Sequence, residues 1–208
     1  KQLHKVFTDN QFKYLDATSS NNRILIIGPA GTGKTLLAIE TSRRITMDDK
    51  KVLFVCFNSL LQKYLEDQLN NHKNLEVITY SSLIQKISKK TLGEIDQDEV
   101  LLRVLEIKEE KKFDALIIDE AQDILDNDSY DILDNVFKNG FKGGVSYIFG
   151  DFEHQKIQNI KNQFDNFNFK DKSGFFLIKL QENCRNLPDV LQVAKFFCKT
   201  YPYTKVCR

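Results

Sequence analysis

Eight consecutive residues, Gly28, Pro29, Ala30, Gly31, Thr32, Gly33, Lys34 and Thr35, carry the sharpest chemistry in the chain. Glycines let successive backbone N–H groups turn inward around an anion, and a helix that starts where such a loop ends adds partial positive charge at the same point. Lys34 is then placed to reach the β- and γ-phosphates of a nucleoside triphosphate, and the Thr35 hydroxyl to ligate Mg²⁺. A turn that only reversed the chain would need neither the lysine nor the threonine.

A second constellation supplies what hydrolysis requires. Asp119 and Glu120 follow four apolar residues, 115–118, and open the run Asp119, Glu120, Ala121, Gln122, Asp123. Carboxylates at the carboxyl end of a buried parallel strand lie where open α/β sheets bind ligands. Asp119 is expected to hold Mg²⁺ through water, and Glu120 to act as the general base that polarises the attacking water. One carboxylate alone would equally suit a helix start, where negative charge is favourable. Farther on, Gly150 and Asp151 lead to Gln155, which is placed to hydrogen-bond the γ-phosphate or that water. Arg185, in the run Glu182, Asn183, Cys184, Arg185, either reaches over the phosphates to neutralise transition-state charge, or caps a helix or pairs with a surface carboxylate.

These residues need a frame. Short apolar runs at 24–27, 52–57, 75–79, 115–118, 146–149 and 175–180 read as strands covered on both faces. Amphipathic stretches at 35–46, 59–70, 81–89, 98–109, 129–138 and 188–200 read as the helices between them. The alternation predicts an α/β fold, a parallel sheet flanked by helices on both faces. Residues 89–97 read as a loop. In 158–173, Phe164, Phe167 and Phe169 either seal the core edge or meet a partner.

The bulk properties set outer limits. At 208 residues the chain suffices for one sizeable domain. With 30 basic against 29 acidic side chains and a formal charge of +1, no global basic field argues for nucleic acid, so such a partner must be held in a local groove. Cys56, Cys184, Cys198 and Cys207 show no zinc spacing and are expected to be reduced thiols. His4, His72 and His154 are assigned no role. No stretch approaches membrane-spanning length, and a soluble, cytoplasmic protein is expected.

Taken in order, the phosphate loop, Asp-Glu-Ala-Gln-Asp, Gly-Asp-x-x-Gln and Asn-Cys-Arg resemble the first motor domain of superfamily 1 DNA helicases, the UvrD/Rep-like branch. The similarity runs from Phe7 to about Val193. It implies a RecA-like P-loop NTPase fold, with ATP and Mg²⁺ as ligands. It also implies that Gln11 reads the adenine edge, that Gly28 to Thr35 hold the phosphates, and that Asp119 and Glu120 are metal ligand and base. Gln155 and Arg185 correspond to the nucleotide-coupling residue and the arginine that contacts the γ-phosphate. Such domains bind single-stranded DNA, RNA not being excluded, along their upper surface. Two segments match the DNA-contacting motifs: Phe57 and Asn58, then Thr79 and Tyr80. Phe57 and Tyr80 either stack on bases or close the core at strand ends; Asn58 and Thr79 suit phosphate contacts.

The chain departs from the family pattern in four respects. Cys184 stands where many relatives have a tyrosine that stacks on adenine. About forty residues separate Tyr80 from Asp119, too few for the accessory domain often inserted there. The motifs of a second motor domain are absent, so residues 1–208 are expected to be one RecA-like domain of a longer protein. The near-neutral charge suits a groove shared with a partner domain. Two functions follow, a translocating motor driven by ATP hydrolysis, or a nucleotide-gated switch controlling an attached nuclease or other effector. A small-molecule kinase is disfavoured, because it needs no water-activating glutamate beside its metal ligand.

Overall fold

Strands without a polar face must be covered on both sides, and that requirement sets the architecture. The computed structural model of the protein describes residues 7–152, 174–186, 203 and 205–206. Six strands, β1 (Arg23–Ile27), β2 (Val52–Cys56), β3 (Leu75–Thr79), β4 (Ala115–Ile118), β5 (Val145–Gly150) and β6 (Phe176–Lys179), form one sheet. Their order is β3-β2-β4-β5-β1-β6, and every pairing is parallel. Every residue of β2 and β4 is buried.

Side chains alternate across a strand, so each apolar run feeds two cores. Ile24, Ile26, Phe54, Ile117 and Phe149 enter one, against Leu15 of α1 (Asp9–Ser20), Leu37 of α2 (Lys34–Thr46) and Leu65 of α3 (Ser59–Leu69). Leu25, Leu53, Val55, Leu116, Ile118 and Ile148 enter the other. There they meet Leu83 of α4 (Tyr80–Ser88), Val104 of α5 (Gln97–Leu105), Leu133 of α6 (Asn127–Val136) and Phe141 of α7 (Gly140–Gly143). The expected α/β layering, helices on both faces of a parallel sheet, is the one observed.

Boundaries shift where capping overrides apolar periodicity. α6 starts two residues earlier than the pattern predicts, because Asp126 and Ser129 form a reciprocal capping box. α5 stops at Leu105 rather than 109; Glu106, Glu109 and Glu110 would crowd its negative end, and a 3₁₀ turn (Glu109–Lys111) follows instead. α1 has no counterpart among the expected helices. Its first turn is held by Thr8 and Gln11, each side chain bonded to the other's backbone N–H. A further short parallel pair, β7 (Glu182–Asn183) with β8 (Lys205–Val206), lies outside the main sheet. The segments 158–173 and 188–200, and residues Gln155, Cys198 and Cys207, fall outside the described residues.

Candidate active site

Parallel strands deliver their carboxyl ends to one edge, and every described candidate residue stems from that edge or from α1 beside it. The loop 28–33 joins β1 to α2. Gly31 and Gly33 adopt φ of +86° and +89°, a left-handed conformation that side chains disfavour. At Gly28 a Cβ would stand 2.8 Å from the Leu180 Cβ and carbonyl oxygen. Among the described helices of eight or more residues, α2 alone begins without a side-chain cap. Its first-turn N–H groups therefore face the loop with their hydrogen-bonding capacity available to an anion.

Lys34 lies buried in this loop, with Nζ donating to the carbonyls of Gly28 at 2.7 Å and Pro29 at 3.2 Å. Burial lowers its pKa. The charges of Glu120, Asp151 and Asp119 act in the opposite direction, and Arg185 reinforces the lowering. Three acids and one guanidinium thus act on the lysine, and Asp119, Glu120 and Arg185 are among them. The Thr32 hydroxyl tightens the loop by donating to Pro29 O at 2.9 Å.

Asp119 is completely buried at the end of β4. Desolvation, and then the neighbouring Glu120 charge, push its carboxyl up to about 6, partly offset by the Thr35 hydroxyl and the Glu120 amide. Oδ1 accepts that amide at 3.0 Å, whereas Oδ2 is buried without a hydrogen-bond partner among the described residues. An orphaned carboxylate oxygen facing a threonine hydroxyl fits a hard cation that keeps several waters, which is the Mg²⁺ preference. Glu120 takes a left-handed φ of 54°. Its Oε2 accepts Gln122 Nε2 at 2.7 Å, and Gln122 Oε1 accepts the Asp151 amide at 2.9 Å. Gln122 lies within the acidic motif, yet its role depends on β4 and β5 being neighbours, which spacing alone does not reveal.

These groups border a cleft of about 740 Å³ that contains Lys34, Thr35, Glu120, Asp123 and Arg185 and continues past Phe57, Asn58 and Tyr64. Cys184 donates its amide to Gly31 O at 2.8 Å, and Tyr203 its hydroxyl to Ala30 O at 2.7 Å. Gln11 is buried beside the loop. Its Nε2 donates to Thr32 O at 3.1 Å and lies 3.8 Å from Cys184 Sγ, while its Oε1 accepts the Thr8 amide. A smaller recess between Gln11, Tyr14, Leu180 and Glu182 adjoins it.

The nucleic-acid candidates divide. Phe57 (45% exposed) and Asn58 are on the cleft, where Asn58 Oδ1 also caps α3 through the Leu61 amide at 2.9 Å. Thr79 is buried and spends its hydroxyl on the Ser82 amide and hydroxyl at the start of α4. Tyr80 packs against the core formed with α4–α7, with its hydroxyl buried and pushed above the ordinary tyrosine range by desolvation and by Asp126 and Asp128. For Tyr80 the core-closing alternative is the geometry found, and neither Thr79 nor Tyr80 is brought to the cleft.

A protein-family model described as Schlafen group 3, DNA/RNA helicase domain, matches residues 21–167, more than two-thirds of the chain. No curated protein sequence matches significantly. Among solved structures, the Pif1 helicase from Candida albicans is similar with a TM-score of 0.56 at 19% identity, over 85% of this chain and 40% of that one. Bacteroides Pif1 bound to ssDNA gives 0.54 at 18%, over 96% and 47%. The Sulfolobus solfataricus SWI2/SNF2 ATPase core in complex with dsDNA gives 0.51 at 16%, over 92% and 52%. At such identities the likeness establishes the fold, and the chain spans about half the length of these structures.

Proposed function

Because the chain belongs to the Schlafen group 3 DNA/RNA helicase-domain family, we propose that it is the first ATP-binding motor domain of a superfamily 1 helicase or translocase, of UvrD/Rep-like type. In the whole protein, ATP hydrolysis is coupled to movement along single-stranded nucleic acid, with a second motor or effector domain completing the machine. The observation that carries this reading is the uncapped start of α2 with Lys34 facing Asp119 and Glu120.

Each residue then has a task. The amides of 31–35 bind the phosphates, and Lys34 exchanges the Gly28 and Pro29 carbonyls for β- and γ-oxygens. Thr35 and Asp119 hold Mg²⁺, which when bound neutralises charge on the phosphate oxygens. Glu120 orients the attacking water and accepts its proton. Arg185, exposed at the mouth of the cleft, stabilises the charge of the departing phosphoryl group, and Gln155 is assigned to the same water or phosphate. Gln11, buried beside the loop, is assigned to the adenine edge. Phe57 offers an aromatic face for a nucleobase and Asn58 a phosphate contact; single-stranded DNA bound by Bacteroides Pif1 makes DNA the first ligand to try. The buried free thiol of Cys56 suits a reducing compartment such as the cytoplasm.

Calorimetry with Mg·ATP tests the site. Binding by the wild type, abolished in Lys34→Ala and kept in Glu120→Gln, is the expected result; no heat with the wild type overturns it. ATPase activity of the whole protein, with and without single-stranded DNA, separates the two functions: stimulation supports a motor, and indifference favours a nucleotide-gated switch.

A further inference from the structure

Asn183 is where the phosphate loop and the turn bearing Arg185 meet. It closes β7, and no part of its surface is exposed. Its Oδ1 accepts the Arg185 amide at 3.0 Å and the Asn186 amide at 2.9 Å, so one side-chain oxygen shapes the whole turn. The next residue, Cys184, ties the same turn to the loop through Gly31 O. The Asn183 amide group also lies against Gly31 itself: a Cβ there would stand 2.9 Å from Asn183 Nδ2 and 3.3 Å from the Arg185 Cβ.

Asn183 Nδ2 is buried and has no hydrogen-bond partner among the described residues. A buried donor without an acceptor is costly, and its retention calls for a use. It sits beside a loop whose Gly28 and Pro29 carbonyls are occupied by Lys34, an arrangement that must change when phosphate enters.

We propose that Asn183 is a positioning residue that couples the phosphate loop to Arg185. Its oxygen fixes the turn from which the guanidinium reaches into the cleft. Its nitrogen, braced on Gly31, makes that turn respond when the loop opens around a terminal phosphate. Discrimination between triphosphate and diphosphate therefore depends on Asn183 although it need not touch the nucleotide. The inference rests on the ATP site proposed above.

The test compares Mg·ATPγS and Mg·ADP binding by calorimetry in the wild type, Arg185→Ala, Asn183→Ala and the double variant, with amide exchange measured at residues 185 and 186. The wild type should prefer the triphosphate analogue. Arg185→Ala should lose about tenfold of that preference, the scale of one charge-assisted hydrogen bond. Asn183→Ala should lose a comparable share with Arg185 still present, and the double variant should lose no more. Exchange at both amides should accelerate in Asn183→Ala. Asn183→Ser, whose hydroxyl can still accept an amide, should recover part of both effects, and it carries the comparison if the alanine variant fails to fold. A wild-type preference retained in Asn183→Ala, additive losses in the double variant, equal wild-type affinity for the two nucleotides, or unchanged exchange at 185 and 186 overturns the coupling. A wild type that binds neither nucleotide overturns the ATP site instead, and the exchange result still decides whether Asn183 shapes the turn.

Discussion

Gln122 donates from Nε2 to the Glu120 carboxylate at 2.7 Å, and its amide oxygen accepts the Asp151 backbone N–H at 2.9 Å. One buried side chain thus joins the end of β4 to the end of β5. Glu120 sits at a left-handed φ, a conformation that persists only where surroundings enforce it. The Gln122 bond fixes the direction of the Glu120 carboxylate, the proposed general base.

Replacing Gln122 by leucine keeps its bulk and removes these two bonds and a third, longer one to Asp123 at 3.3 Å. Steady-state ATP hydrolysis by the whole protein should fall about 10- to 100-fold, the scale of a misdirected general base. Affinity for Mg·ATP should stay within about threefold, since no phosphate-binding group is removed. Rate and affinity measured on one preparation check this; an unchanged rate would show that Glu120 is aimed by something else.

Phe57→Ala should weaken single-stranded DNA binding by about 1–3 kcal/mol, the worth of one base–aromatic stack. Phe57 is 45% exposed at the rim of the cleft, so its loss should leave thermal stability within about 0.5 kcal/mol, as for ordinary surface sites. Tyr80→Ala should do the reverse, lowering stability by excavating the core that α4–α7 share. Fluorescence anisotropy of a labelled oligonucleotide beside thermal unfolding separates the two effects.

That contrast marks what the sequence can and cannot convey. The runs at 52–56 and 115–118 are apolar throughout, which only a doubly covered strand demands, and both are strands in the fold. The phosphate loop is equally legible, because its glycines are needed for backbone shape and its lysine and threonine for chemistry. Phe57 and Tyr80, by contrast, both follow a strand and carry similar rings. Tyr80 goes inward because Thr79 caps a helix that starts at once, whereas Phe57 precedes its cap, Asn58, and stays outside. α1 is hard to see in the sequence because its buried side is Gln11, Leu15 and Thr18, only one of them apolar. Gln122 and Asn183 stand in recognisable motifs, but their partners belong to other elements, and only the strand order brings those together.

Gly31→Ala combines two penalties. An alanine at φ +86° costs about 1–2 kcal/mol in backbone energy, and its Cβ would press on Asn183 Nδ2 at 2.9 Å. The turn carrying Arg185 should be displaced along with the loop. The expected outcome is a lower unfolding temperature together with loss of Mg·ATP binding beyond what the stability change explains, read by calorimetry at a temperature where the variant is fully folded.

Asp119 makes the stability of the metal-free protein depend on pH. Its carboxyl titrates near 6 in the fold against 3.8 unfolded, so the native state binds the extra proton in between. By linkage its contribution to stability is fully present below about pH 4 and is lost as pH rises through 6. The loss is at most roughly 3 kcal/mol at about 1.4 kcal/mol per pKa unit. A carboxamide in its place cannot ionise, so Asp119→Asn should unfold several degrees higher than the wild type at pH 7.5, with the advantage shrinking toward pH 4. Mg·ADP should raise the wild-type unfolding temperature more than the variant's, because a cation at Oδ2 favours the ionised carboxylate that burial disfavours, whereas the phosphate loop is intact in both. Thermal scans from pH 4 to pH 8, with and without Mg·ADP, check both signs. A variant less stable than the wild type at pH 7.5 would mean that the buried charge is already compensated without metal.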